Sequence, residues 1–289
     1  MTEHAAVRDG AAHGGIARPD VRVSVLQPRT VRDAQRRCRS TAGALYAAGA
    51  TALQLAWGEQ PRATLIPVGG LAALRGIALV DGRLRIGAAE TLEAVRTHPL
   101  VRAHAPLLEQ ACASLAAFGV RNMATLGGNV AWRFGDTLAP LLACEALAEG
   151  SGRVLSSLDR WLDSPPDTLL VALHLPLARR CGGWLEKVGL RAAFSPSRVA
   201  LCMRHGRDGV RLAAVGAGLR ARRCRAVESW WEAWGMHGSS PPPRFTDSMG
   251  HFLREACAAD LHGDGLRAEI ASRVIAGHLQ AGTCGHPIA

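Results

Sequence analysis

The sequence predicts an α+β protein built in two parts, and three observations predict it. Its 289 residues exceed one typical domain. Helical and strand-like stretches alternate as far as Pro176, and beyond it three strand-like runs are followed by three helices. Hydrophobic residues at 48% and charged residues at 20% match ordinary globular proteins, which excludes disordered and fibrous classes.

Met1–Asp20 mixes His, Arg, Gly and acidic residues without an apolar core, so it reads as a flexible N-terminal extension rather than a signal peptide. The first part then covers residues 21–176. Thr30 caps a helix over Thr30–Ala48 that stops at Gly49. Strands are expected at Thr64–Val68 and Leu84–Ala88, the second entered through the Asp81-Gly82 turn. Thr91 precedes a short helix, and Pro99–Ala117 carries apolar residues at helical spacing, with its buried face toward a sheet. A helix over Asp136–Leu147 and a strand over Thr168–Leu175 complete this part. In the second part, residues 177–282, three strands near Trp184–Leu190, Ser197–His205 and Val210–Val215 form an antiparallel sheet. Helices follow at Ala226–Trp234, Asp247–Ala259 and Leu266–Gln280, with a proline-rich break at Ser239–Arg244 and a tail over 283–289.

Composition narrows the function. The net charge of +10 comes from 34 Lys+Arg against 24 Asp+Glu, and Lys187 is the only lysine. The arginines are scattered with few aromatics among them, which disfavours nucleic-acid binding. No apolar run is long enough to span a membrane, so a cytoplasmic location is expected. Eight cysteines lie far apart without a CxxC pair, a pattern of buried reduced thiols rather than zinc or iron–sulfur ligands.

Two glycine-bearing segments stand out. Phe118–Ala131 places Asn122, Thr125, Gly127, Gly128 and Asn129 in a polar loop whose backbone could approach a ligand closely and whose N–H groups could cradle an anion. A turn that merely reverses the chain is the plain alternative. Ala47-Ala48-Gly49-Ala50-Thr51 puts small residues where backbone could touch phosphate, although a routine helix end explains the same pattern. Gly216-Ala217-Gly218-Leu219-Arg220-Ala221 matches GxGxxA after a strand, but no acidic residue lies about twenty positions on, and it reads as a strand-end turn. The loop 260–265 lacks calcium-loop spacing, and His278, Cys284 and His286 read as frayed terminal residues rather than a metal site. No nucleophile elbow, P-loop or HExxH motif is present, so chemistry would reside in a cofactor.

The run Leu84-Arg85-Ile86-Gly87-Ala88-Ala89-Glu90-Thr91, then Pro99-Leu100-Val101, then Arg121-Asn122-Met123-Ala124-Thr125-Leu126-Gly127-Gly128-Asn129, resembles the FAD-binding medium subunit of molybdenum hydroxylases, the xanthine and carbon monoxide dehydrogenase type. The resemblance spans roughly Val21 to Gln280. It implies a vanillyl-alcohol-oxidase-type FAD fold of two α+β subdomains, followed by a smaller C-terminal domain. It implies FAD held by Ala47, Ala48, Gly49, Ala50, Thr51 and Ala52 in one loop and by Thr125, Leu126, Gly127, Gly128 and Asn129 in another. Asp136 matches a polar contact, Leu169 an apolar flavin contact and Leu115 an often aromatic position. Lys187 matches a lysine near the flavin ring, where a cation would stabilise the anionic reduced form; a surface lysine is the bland reading. None of these residues would act as acid, base or nucleophile.

The same resemblance implies a molybdopterin-bearing large partner, a small partner with [2Fe-2S] clusters, and NAD or another final acceptor. Relatives usually carry a further glycine or asparagine where Ala50 stands and a polar residue at Ala52, so a flavin-free scaffold subunit is the alternative.

Overall fold

The computed structural model describes residues 22–55, 62–177, 182–191, 195–206, 208–234 and 245–281. The expectations for Met1–Asp20, Ser239–Arg244, Cys284, His286 and the tail lie outside the described residues.

Three sheets organise the described residues. The first has three parallel strands in the order β1 (Arg22–Val25), β3 (Arg62–Pro67), β2 (Ala44–Ala47), accompanied by α1 (Val31–Ser40) and α2 (Thr51–Leu55). Thr30 caps α1 as expected, its hydroxyl accepting from the Asp33 N–H. The helix ends at Ser40 rather than Ala48, however, because Gly43 takes a φ of +69° and the next four residues pair with β3. Helix propensity in Ala44–Ala47 is thus overridden by a strand partner far along the chain.

The second sheet has five strands in the order β4 (Ile77–Val80), β5 (Arg83–Gly87), β8 (Ala172–Pro176), β6 (Leu147–Glu149), β7 (Leu155–Ser157). Asp81 and Gly82 both have positive φ, at +49° and +69°, and join Val80 to its partner Arg83 in a two-residue hairpin. Helices α3 (Leu92–Thr97), α4 (Pro99–His104), α5 (Pro106–Ser114), α6 (Phe118–Arg121), α7 (Leu126–Ala131), α8 (Leu138–Ala143) and α9 (Leu158–Leu162) fall between its strands. The single helix expected over Pro99–Ala117 is two, since Ala105 precedes Pro106 and leaves the helical region. The helix expected over Asp136–Leu147 shortens to α8, and the strand expected from Thr168 begins at Ala172.

The third sheet is antiparallel and has four strands, not three, in the order β12 (Leu219–Arg223), β11 (Gly209–Gly216), β10 (Ser197–Gly206), β9 (Gly182–Gly189). The extra strand lies in the arginine-rich run. There Leu219, Ala221 and Arg223 are buried while Arg220 and Arg222 are more exposed, an alternation of period two. Gly218, at φ +72°, makes the turn between β11 and β12, so GxGxxA is indeed a strand-end turn. Helices α10 (Arg225–Ala233), α11 (Asp247–Asp260) and α12 (Gly265–Gln280) cover one face.

The two faces of this sheet differ in size. Val199, Leu201, Met203 and Leu212 pack under α10–α12. Ala200, Cys202, Ala213 and Val215 present a flatter surface that joins the core of the first part. The helix α8 lies on that surface, every residue of it buried. The cysteines among the described residues are free, Cys144 half-buried and the rest buried. His278 is no frayed residue: it belongs to α12, stacks on Trp184 with ring centroids 4.1 Å apart, and meets Glu186. No helix of the described residues is long and apolar enough to cross a membrane.

Candidate functional site

The segment Ala124–Gly127 is zipped onto Ala88–Leu92. Leu92 N–H donates to Ala124 O (2.9 Å), Leu126 N–H to Glu90 O (2.9 Å) and Gly127 N–H to Ala88 O (2.8 Å), with a bridge between Thr91 and Thr125. The two stretches that carry the sequence resemblance are therefore one structural unit. Gly127 is required there, because a Cβ would stand 2.6 Å from the Ala88 carbonyl.

The polar loop expected over Phe118–Ala131 is instead two short helices, and its second half, from Leu126, is α7. Thr125 is the N-cap, its hydroxyl accepting from Gly128 N–H at 3.1 Å. With Asn129 N–H bonded to Thr125 O as well, the first four N–H groups of α7 already have protein acceptors. The expectation of a cradle made of these N–H groups is overturned. What the turn offers outward is the exposed Gly128 backbone, the Thr125 hydroxyl proton and the Asn129 amide.

The other bend meets it directly. A side chain at Gly49 would run into the Met123 carbonyl and lie 3.1 Å from Ala124 Cα, so the first loop rests on the residues that lead into Thr125. Ala48 is exposed, and Gly49, Ala50, Thr51 and Ala52 are half-buried. Among the described residues, the N–H groups of Gly49, Ala50 and Thr51 form no backbone hydrogen bond. Ala50 adopts φ +55°, a left-handed conformation that costs an alanine on the order of 1 kcal/mol. Ala47 is buried and its carbonyl accepts from Val68 N–H (2.8 Å), which brings the Gly69-Gly70 turn beside Ala48. Sequence reasoning missed this glycine pair, although its place directly after β3 is a signal.

From Asn129 the site continues to Lys187. Asn129 Oδ1 accepts from the Thr137 hydroxyl (2.6 Å), an approach open only because Gly135 has no side chain. Asp136, next in the same turn, is buried. Its Oδ2 pairs with Lys187 Nζ at 2.7 Å, and its Oδ1 accepts from the Ser197 hydroxyl at 2.7 Å. Lys187 is on β9 and Ser197 on β10, so the carboxylate joins the first part of the chain to the third sheet. Ser197 was not foreseen; a serine at a buried position of an alternating strand is the signal that could have found it.

Leu169 is buried in the main core just ahead of β8, and Leu115 caps α5 and is half-buried against that core. Arg121 holds the turn after Leu115, donating to Leu115 O (3.1 Å) and Ala116 O (2.7 Å) and pairing with buried Glu93 at 2.8 Å. Hydrogen bonds from Arg96 and then Arg121 hold the Glu93 carboxyl down at about 2. Among the described residues no cluster of His, Cys, Asp or Glu is arranged to hold a metal ion.

The two glycine bends thus touch, and beyond Asn129 a buried carboxylate–lysine pair joins them to the third sheet. Residues 21–178 match the family described as "FAD binding domain in molybdopterin dehydrogenase", and the chain belongs to that family. It is 32% identical over 165 residues to a protein of Escherichia coli K12 named for a xanthine dehydrogenase FAD-binding subunit, XdhB; the match covers 50% of this chain and 53% of that one. With the xanthine dehydrogenase FAD-binding subunit of Escherichia coli O157:H7 it shares 33% identity over 132 residues, 39% of this chain and 42% of the relative. The matches thus span about half the length of these relatives or less.

Solved structures share the fold over more of the chain. A chain of the carbon monoxide dehydrogenase from Hydrogenophaga pseudoflava that lacks the molybdenum-pyranopterin moiety superposes with a TM-score of 0.75, at 23% identity, over 91% of this chain and 98% of that one. A chain of quinoline 2-oxidoreductase from Pseudomonas putida 86 gives 0.69 at 19% identity, over 91% and 98%.

Proposed function

We propose that this chain is the FAD-carrying electron-transfer subunit of a molybdenum-dependent hydroxylase of the xanthine or carbon monoxide dehydrogenase type. The observation that carries the reading is the seating of Gly49 on Met123–Ala124, which joins the two bends that would grip one pyrophosphate. In this reading the parallel sheet and the five-stranded sheet are the two subdomains of a vanillyl-alcohol-oxidase-type fold within 21–176, and 177–282 is the C-terminal domain.

The residues present fit FAD with a division of labour that the sequence did not suggest. N–H groups of Gly49, Ala50 and Thr51 would meet phosphate oxygens, while Thr125 and Asn129 contribute side-chain donors and Gly128 lets the cofactor approach the backbone. Asp136 would hold Lys187 with its ammonium directed by an ion pair rather than free in solvent. Bound FAD supplies one- and two-electron redox chemistry that no side chain of this chain possesses. Leu115 and Leu169 would support the site from the core rather than line an open face.

Substrate oxidation then belongs to a molybdopterin-bearing large partner, with [2Fe-2S] clusters in a small partner relaying electrons to this chain and NAD or another acceptor removing them, all in the cytoplasm. An absorption spectrum of the purified chain tests the reading. Flavin bands near about 370 and 450 nm, present on isolation or after adding FAD, are expected. A colourless protein that refuses FAD would establish the flavin-free scaffold instead, the reading that Ala50 in its strained conformation favours.

A further inference from the structure

We infer that Ser197 is a positioning residue that sets how much of the Lys187 charge is available to the flavin, acting through Asp136. The inference rests on the FAD site proposed above and deepens it.

The buried Asp136 carboxylate has one partner on each of two neighbouring strands, Lys187 on β9 and Ser197 on β10, both at 2.7 Å. Ser197 pairs in register with Gly189, two residues beyond Lys187 and therefore on the same side of β9. A register irregularity between Ser197 and Val199 frees Ser197 from the regular pleat. Ser197 Oγ has Asp136 as its acceptor and is itself buried, so this hydroxyl is aimed rather than free to rotate toward water.

A hydroxyl donated to one carboxylate oxygen disperses part of its charge. Without it, the whole charge of Asp136 falls to Lys187. The ammonium is drawn harder onto Oδ2, and more uncompensated negative charge remains beside the site. Both changes disfavour adding electrons to a nearby ring. Ser197 therefore keeps the reduced flavin favourable without touching it.

The test uses the full chain loaded with FAD, in the Ser197→Ala, Ser197→Thr, Lys187→Met and Ser197→Ala/Lys187→Met forms. Redox equilibration against reference dyes is measured together with the FAD dissociation constant and the melting temperature. Ser197→Ala is expected to raise the oxidised-to-reduced ratio at a fixed poise by about threefold or more, while FAD affinity changes less than that. Ser197→Thr, which retains the hydroxyl, keeps the ratio near wild type. Lys187→Met shifts the ratio the same way, and the double variant shifts it by less than the sum of the two single changes, since part of the Ser197 effect passes through the lysine. An unchanged ratio in Ser197→Ala with FAD normally bound, or shifts that simply add, would overturn this inference alone. A wild-type chain that holds no FAD overturns the site reading and this inference with it.

Discussion

Adjacent glycines in the sequence Leu126-Gly127-Gly128-Asn129 do different work. Gly127 faces the Ala88 carbonyl, whereas a Cβ at Gly128 meets only the Thr125 hydroxyl, at 3.0 Å. Gly127→Ala is therefore expected to destabilise the fold by about 1–3 kcal/mol, measured by thermal melting. Gly128→Val should leave circular dichroism and melting near wild type and abolish FAD retention, measured by the flavin-to-protein ratio on purification. Ala50→Gly removes a left-handed alanine, and an unfolding free energy equal to or up to about 1 kcal/mol above wild type is the expected outcome in denaturant titration. The glycines were legible as the place of the site but not as its geometry. Paired glycines favour a turn locally, and only carbonyls of Ala88 and Glu90, more than thirty residues upstream, make the segment a helix start. Lys187 could be singled out as the only lysine, but its bond to Asp136 depends on how two distant parts of the chain meet.

Elements were legible where their signals are local. Thr30 and Thr91 are the caps their sequence positions promise, and Asp81-Gly82 is the hairpin turn its dipeptide promises. Signals failed where pairing decides, as when Ala44–Ala47 became a strand on β3, and where charge hid alternation, as in β12. The turn from α5 into α6 shows how an element is held without regular structure, by Glu93 gripping Arg121 and Arg121 gripping two carbonyls. Because the Glu93 carboxyl falls from its ordinary 4.5 to about 2 on folding, its contribution is complete above about pH 4.5 and is lost as pH drops through 2. Glu93→Gln is expected to cost about 1–3 kcal/mol near neutrality and to flatten the acid limb of stability over that window, read from melting temperatures between pH 5 and 2.

At the scale of the whole molecule the sequence did not show how closely the residues on either side of Pro176 share a core. Buried Arg223 makes a two-point bond with Glu228 (2.6 and 2.7 Å) and reaches Glu145 at the end of α8 (3.2 Å), pinning that helix to the third sheet. Trp161 reports on the core that contains α8, and Trp184, Trp230 and Trp231 on the core beneath α10–α12. Glu228→Ala removes the two-point partner of a buried guanidinium and leaves it only the longer contact with Glu145, and is expected to cost about 2–4 kcal/mol. Tryptophan fluorescence and far-ultraviolet circular dichroism should nevertheless lose their signals together, in one transition; separate midpoints would show that α8 does not couple the two cores. The seating of Gly49 against Met123 has a last consequence under the proposed function. A groove whose floor is laid down by the polypeptide itself spends little of its grip on ordering loops, so late cofactor loading, even after assembly into a larger complex, would carry little conformational penalty.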